Sequence, residues 1–306
     1  MELEFIFLFR STQVNKKSRN TRRFQILTFG VYSDSNCRSR TNDVMPTTIS
    51  VGAIPTFNTE ELSAIITTAH ASGVKVAAHA ITSGAVDTLL DLGVDSIEHG
   101  LEIYDGNKNL LEKFVKANGT TVWVPTLAVY YTQSLAVGSS FQSRKKWERS
   151  KMSFIEGLGI GMENIACGGD TGVFAHGQNA LELVLMRRLG ASWDRVLSWA
   201  TYGGWKCVRG MEWEGEKGEK RIRDVVNINK KNLEMSGELH LQDGSFLERG
   251  VPFGVICPGW AGDLIGIEGK LEGTVEEFEK ALVDGVKFVM KGGKVFKRDG
   301  QEILGV

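Results

Sequence analysis

Short apolar runs alternate with longer stretches in which apolar residues recur every third or fourth position, most regularly between residues 57 and 210. Val74, Val76, Ala77 and Ala78 make a run that can be buried on both faces, as in a parallel strand covered by helices. From Ser83 to Gly93, Leu89, Leu90 and Leu92 fall at helical spacing and a glycine closes the segment. A second short run, Asp95 to His99, follows, so the pattern predicts strand, helix, strand. A helix from Thr59 to Ser72 leads into the first strand. Beyond the second, Asn107 to Asn118 sets Leu110, Leu111, Phe114 and Val115 on one helical face. Thr120 to Leu127 is rich in β-branched residues and predicts a third strand, and Ile165 to Gly169 a fourth. Between them, Ser143 to Gly159 reads as a helix with Trp147, Met152, Phe154 and Ile155 as core. Helices at Asn179 to Leu189 and Trp193 to Val208 follow, the second carrying three tryptophans as packing material.

The two ends of the chain depart from this rhythm. Residues 1–50 hold eight lysines and arginines against four acids, with a basic run from Asn15 to Arg23, while the whole chain has a net charge of −1. This segment is expected to be irregular, with one strand near Phe24 to Val31. Gly210 to Gln242 is dense in charges of both signs and reads as a solvated excursion. From Phe253 short strands punctuated by Gly and Pro return, with a helix at Val275 to Leu282 and a hairpin around Lys291 to Lys294. The expected division is residues 1–50, 51–209, 210–245 and 246–306.

Composition narrows the partners. Of 306 residues 42% are hydrophobic and 24% charged, ordinary for a sizeable core. The near-zero net charge makes no case for nucleic acid or an anionic membrane. No apolar run approaches the roughly 20 residues of a membrane-spanning helix. Four scattered cysteines, without a CxxC pair, suit free thiols in a reducing compartment, and hence the cytoplasm.

The candidate chemistry lies at the strand ends. His79 and His99 close the first two strands, twenty residues apart, so one βα repeat places them at the same mouth of a parallel sheet. A single histidine there is most often an ordinary hydrogen-bonded residue; two in one register are more telling. Asn164 to Asp170 is another short run, ending in a carboxylate. Neutral imidazole and carboxylate are ligands that zinc accepts. His176, ahead of the helix at Asn179, is a candidate for contact with a substrate carboxylate or carbonyl, or else a loop residue. His70, on a helical face, reads as solvated or packed, and His240, in the alternating run Glu238-Leu-His-Leu, as an exposed strand or turn position.

The ordered motifs Ala78-His79-Ala80, Ser96-Ile-Glu-His99-Gly100, Val124-Pro-Thr126, Gly168-Gly-Asp170-Thr-Gly172, His176-Gly-Gln-Asn-Ala180 and Pro258-Gly-Trp-Ala-Gly-Asp263 resemble the second half of metal-dependent amidohydrolases, in particular the imidazolonepropionase-like and prolidase-like branch. The resemblance runs from about Phe57 to about Lys297. It implies an α/β fold: a partial TIM-type (β/α) barrel, about its last four βα units, with a small C-terminal β-rich segment. It implies hydrolysis of a C–N bond in a small amide, cyclic amide or dipeptide-like substrate. His79, His99 and Asp170 become ligands of a divalent metal, most plausibly zinc and one site at most, with Asp170 also the catalytic proton shuttle and His176 a substrate contact. The family's His-x-His pair occurs nowhere in the chain, and the stretch Val44 to Pro55 has no lysine where the family carries its bridging one. Weak or absent hydrolysis is therefore expected, and a non-catalytic remnant or an incomplete gene model stands as the alternative. A βα-type lyase or isomerase with structural histidines is a further one. A half-barrel leaves edge strands that the N-terminal segment, a second copy of the chain or the C-terminal strands must cover.

Overall fold

The computed structural model describes residues 57–106, 108–116, 120–236 and 252–303, and four short strands upstream: β1 (Glu4–Ile6), β2 (Ile26–Gly30), β3 (Tyr32–Ser33) and β4 (Ile54–Pro55). The basic run from Asn15 to Arg23, the stretch Val44 to Ala53 and His240 lie outside the described residues. The chain divides into two compact units, one of residues 26–174 and one of residues 1–25 with 175–306.

In the first unit, α1 (Thr59–Ala71) starts at a capping box. Asn58 Oδ1 accepts the Glu61 N–H, and the Glu61 carboxylate accepts the Asn58 N–H, both at 2.8 Å. Leu62, Ile66 and Ala69 recur at helical spacing and are buried. Then come β5 (Lys75–Ala80), α2 (Ser83–Asp91), β6 (Ser96–His99), α3 (Asn109–Lys116) and β7 (Val122–Val124). The strands form one parallel sheet in the order β2-β5-β6-β7. The strand expected near Phe24 to Val31 is thus β2, alongside β5, with Gly30 opposite His79. Val76, Ala78 and Ala80 on one face have no exposed surface, and Lys75 and Ala77 on the other are also buried, as a strand covered on both faces requires.

Past β7 the sheet continues only as a single parallel bridge, Trp123 to Ile165. The expected fourth strand does not extend, because the paired glycines Gly168 and Gly169 hold strand geometry poorly. Among the described residues the sheet stays open. The third strand is shorter than its composition predicts, since Pro125 has no N–H to give to a ladder. A helix the pattern did not reveal, α4 (Leu127–Leu135), follows at once. Its first four residues are all buried, so no polar face marks the helical period. It packs against α5 (Phe141–Gly159), capped by Ser140.

The second unit holds α6 (Ala180–Arg188), α7 (Trp193–Ser198), a π-helical turn at Trp199–Gly203, α8 (Gly204–Val208) and α9 (Gly215–Ser236). The pattern predicts one helix from Trp193 to Val208; the π turn interrupts it where Gly254 comes against its backbone. A Cβ at Gly254 would stand 2.6 Å from the Thr201 carbonyl carbon, and its φ is +96°. The charged stretch is not wholly solvated, since α9 buries Val225 in a cluster with Trp205, Trp213 and Phe253. So few apolar residues among so many charges leave little trace in the pattern. An antiparallel sheet completes the unit: β1, β8 (Leu264–Ile267), β9 (Val286–Lys291), β10 (Lys294–Arg298) and β11 (Gln301–Glu302). Helix α10 (Val275–Asp284), with its own capping box at Thr274 and Glu277, joins β8 to β9. The first fifty residues, expected to be irregular apart from one strand, therefore also supply β1. Among the described residues no helix is long and apolar enough to cross a membrane.

His70 is neither solvated nor simply packed. Asp95 Oδ2 lies 2.8 Å from His70 Nε2 and accepts the Val76 N–H at 2.8 Å, tying the end of α1 to the start of β5. Asp95→Ala strands the fully buried Val76 N–H without a partner. The expected loss is about 1–3 kcal/mol in urea unfolding. An unchanged midpoint would show that the tie contributes nothing.

Candidate active site

Three residues at the C-terminal side of the parallel sheet have left-handed backbones: His99 (φ 72°), Thr126 (φ 50°) and Asp170 (φ 58°). For residues other than glycine this costs about 1–2 kcal/mol each, and for β-branched threonine it is a genuine outlier. Only one other such residue occurs among the described residues, Asp299 in the β10–β11 turn. Strain of this kind persists where the surroundings fix it, and it gathers at functional sites.

His79 and His99 meet edge to edge. His79 Nδ1 is 2.9 Å from His99 Nε2, and the ring centroids are 5.0 Å apart. The other nitrogen of His99, Nδ1, lies 2.8 Å from Thr126 Oγ1. The Trp123 indole N–H donates to the His99 carbonyl at 3.0 Å. Gly100 turns the chain tightly at φ +56°, and a Cβ there would fall 2.6 Å from Trp123 Nε1. Tyr130, buried on α4, presents its ring edge-on to His99 at 6.1 Å.

Burial pushes both histidines down. His99 falls to about 3, helped by neighbouring His79 and Lys146. His79 is lowered too, although the Asp170 carboxylate pulls against burial. Both rings are therefore neutral at pH 7, the form a metal binds. Beside them, burial pushes the Glu98 carboxyl up to about 7, against the Ser96 hydroxyl that donates to it at 2.7 Å and with the added charge of Asp170.

Of the candidate residues, the structure brings His79 and His99 into contact. Asp170 is exposed and reaches His79 and Glu98 through its charge. Among the described residues no three His, Cys, Asp or Glu side chains stand together as a ligand set. His176 falls in the second unit, exposed, three residues ahead of the Asn179 cap of α6. Thr126, Ser96 and Glu98 had no role assigned from the sequence. Strand alternation puts Ser96 and Glu98 on one face, a signal available in advance. Nothing in the spacing marks the Thr126 hydroxyl.

The two histidines fit a zinc ion as two of its ligands. Nitrogens bound at about 2.0–2.1 Å with tetrahedral angles stand about 3.3 Å apart, and these stand at 2.9 Å, a hydrogen-bonding distance at which one nitrogen carries a proton that a metal would displace.

No family model matches the chain. Uncharacterized proteins of Mycobacterium tuberculosis and Mycobacterium bovis are 38% identical over 73 residues, 24% of this chain and 18% of theirs. Solved structures align far more broadly. An ochratoxinase of A. niger superposes with a TM-score of 0.60 and 19% identity over 90% of this chain and 51% of its own. An amidohydrolase gives 0.57 and 19% over 83% and 52%. A Xaa-Pro dipeptidase gives 0.53 and 22% over 79% and 50%. The fold is that of the amidohydrolases. This chain spans about half the length of those amidohydrolase-fold enzymes, and under a fifth of the mycobacterial proteins' length is matched.

The histidine pair makes stability depend on pH. The unfolded chain titrates its histidines near an ordinary pKa of about 6.5, while His99 in the fold does so at about 3. Between those values the unfolded state binds more protons, so this contribution is intact above the upper value and is lost as the pH falls through the window. Glu98, raised to about 7, acts in the opposite sense between that value and its ordinary 4.5. Urea midpoints of metal-free wild type and His99→Gln isolate the histidine: the variant should lose less stability on acidification. Parallel curves would contradict the buried neutral assignment.

Proposed function

We propose that this chain is a metal-dependent hydrolase of the amidohydrolase type, acting on the C–N bond of a small amide, cyclic amide or dipeptide-like substrate. The observation that carries the reading is the pair of neutral imidazole nitrogens facing each other at 2.9 Å, at strand ends where the backbone of His99 is left-handed. In this reading the parallel sheet is half of a (β/α) barrel. His79 and His99 hold one divalent ion, zinc because it accepts both neutral imidazole nitrogen and carboxylate oxygen, with Asp170 as a third ligand. The names of two structural relatives, an amidohydrolase and a Xaa-Pro dipeptidase, point to the same bond class. The free cysteines among the described residues fit a reducing compartment such as the cytoplasm.

When bound, such an ion supplies a water of lowered pKa and polarises the scissile carbonyl. The chain's own residues do the rest. Asp170 takes the proton of the attacking water and delivers it to the leaving nitrogen. Its carboxylate suits that task because the residue is exposed and, among the described residues, its side chain makes no hydrogen bond. Trp123 and Gly100 keep the backbone of His99 in place.

One observation favours a second reading, a chain that binds but does not catalyse: no third ligand joins the two histidines among the described residues. Elemental analysis separates the two. A hydrolase should carry up to one zinc per chain, lost in His79→Ala. Asp170→Asn should lower amide or dipeptide hydrolysis to background with an unchanged circular dichroism spectrum, because the amide keeps the volume but cannot act as base. Wild-type turnover by Asp170→Asn would remove its assigned role, and metal-free, inactive wild type would leave the second reading.

A further inference from the structure

Thr126 stands at the N-cap of α4, where a threonine hydroxyl ordinarily accepts a hydrogen bond from the first turn of the helix. Here it makes no such bond, and its backbone is left-handed, φ 50° and ψ 45°. The residue is also buried, at 3% exposure. A missing cap, a conformation that β-branched residues avoid and a hydroxyl taken out of water all run against local preference. Among the described residues, the hydrogen bond that answers them is the one with His99 Nδ1 at 2.8 Å.

A neutral imidazole has one N–H and one lone pair. The ring of His99 has two polar neighbours, Thr126 Oγ1 at one nitrogen and His79 Nδ1 at the other. Turning the ring over would set carbon atoms against both, so the contacts fix its orientation. They leave the tautomer to the balance between the two partners, and Thr126 Oγ1 has two lone pairs to offer.

We propose that Thr126 is a positioning residue whose hydroxyl accepts the Nδ1–H of His99, fixing the tautomer in which Nε2 turns its lone pair to the space shared with His79. The consequence for metal affinity rests on the hydrolase reading above; the tautomer does not. An imidazole with its outer nitrogen so held is oriented and more basic at the inner one, which is how partners behind a ligand histidine tune a metal site.

The test uses full-length protein with 15N-labelled histidine, metal-free, and the variants Thr126→Val and Thr126→Ser. Valine keeps the branching and volume and removes only the hydroxyl; since that hydroxyl caps nothing, no helix cap is lost with it. Imidazole 15N shifts report which nitrogen of His99 bears the proton. Nδ1 should be protonated in wild type and Thr126→Ser, and this preference should vanish in Thr126→Val. Zinc titration should then show affinity falling about 10–100-fold in Thr126→Val and recovering in Thr126→Ser. A wild type protonated at Nε2, or a Thr126→Val that keeps the wild-type tautomer, overturns the proposal. If Thr126→Val does not fold, wild type and Thr126→Ser decide alone, and a bare Nδ1 in either overturns it. If the tautomer follows the hydroxyl but no protein binds zinc, Thr126 keeps its role and the metal reading fails.

Discussion

Two imidazoles in hydrogen-bonding contact inside a protein are tolerable only while they do not both carry a charge. The His79–His99 contact therefore governs its surroundings. It requires burial that keeps protons off, partners for the remaining ring nitrogens and a backbone stiff enough to stop the rings from drifting apart. The Trp123 indole on the His99 carbonyl, the tight turn at Gly100 and the Thr126 hydroxyl are responses to that requirement. Left-handed conformations at His99 and Thr126 would be unstable alone, and they persist because these contacts over-determine them.

Much of the β5–α2–β6 unit was legible in the sequence, because β5 carries the apolar run Val76 to Ala78, α2 has a clear apolar stripe and a glycine closes it before the short run that ends in His99. Both histidines could be placed at one mouth from spacing alone. Helix α4 was hidden for the opposite reason: Leu127 to Tyr130 are buried together, and a segment without a polar face has no period to read. The π turn at Trp199–Gly203 depends on the approach of Gly254, fifty residues away in the chain, and no local pattern carries that. The role of Thr126 escaped because the residue reads as one more β-branched position in the strand predicted from Thr120 to Leu127, and its bond to His99 joins residues far apart in the chain. Asp170 was placed at a strand end by the apolar run before it, yet the bridge at Ile165 is all that remains of that strand.

The chain aligns along most of its own length but along about half the length of the larger amidohydrolase-fold enzymes. Its sheet nevertheless acquires a strand, β2, from the segment in which no resemblance was visible, directly beside the strand that ends in His79. Parallel pairing asks only for an extended backbone and apolar side chains of suitable size, so a segment of unrelated sequence can meet it.

The polar ties of the first unit are sorted by end of the sheet. Asp95, which joins His70 to the Val76 N–H, and Thr121, whose hydroxyl donates to the Val94 carbonyl at 2.7 Å, lie at the starts of the strands. The histidines and their props lie at the finishes. Substitutions at one end can then be selected for persistence of the fold while those at the other drift or diversify. A lineage carrying this scaffold could lose its chemistry without losing its shape, and regain a different chemistry later on the same frame.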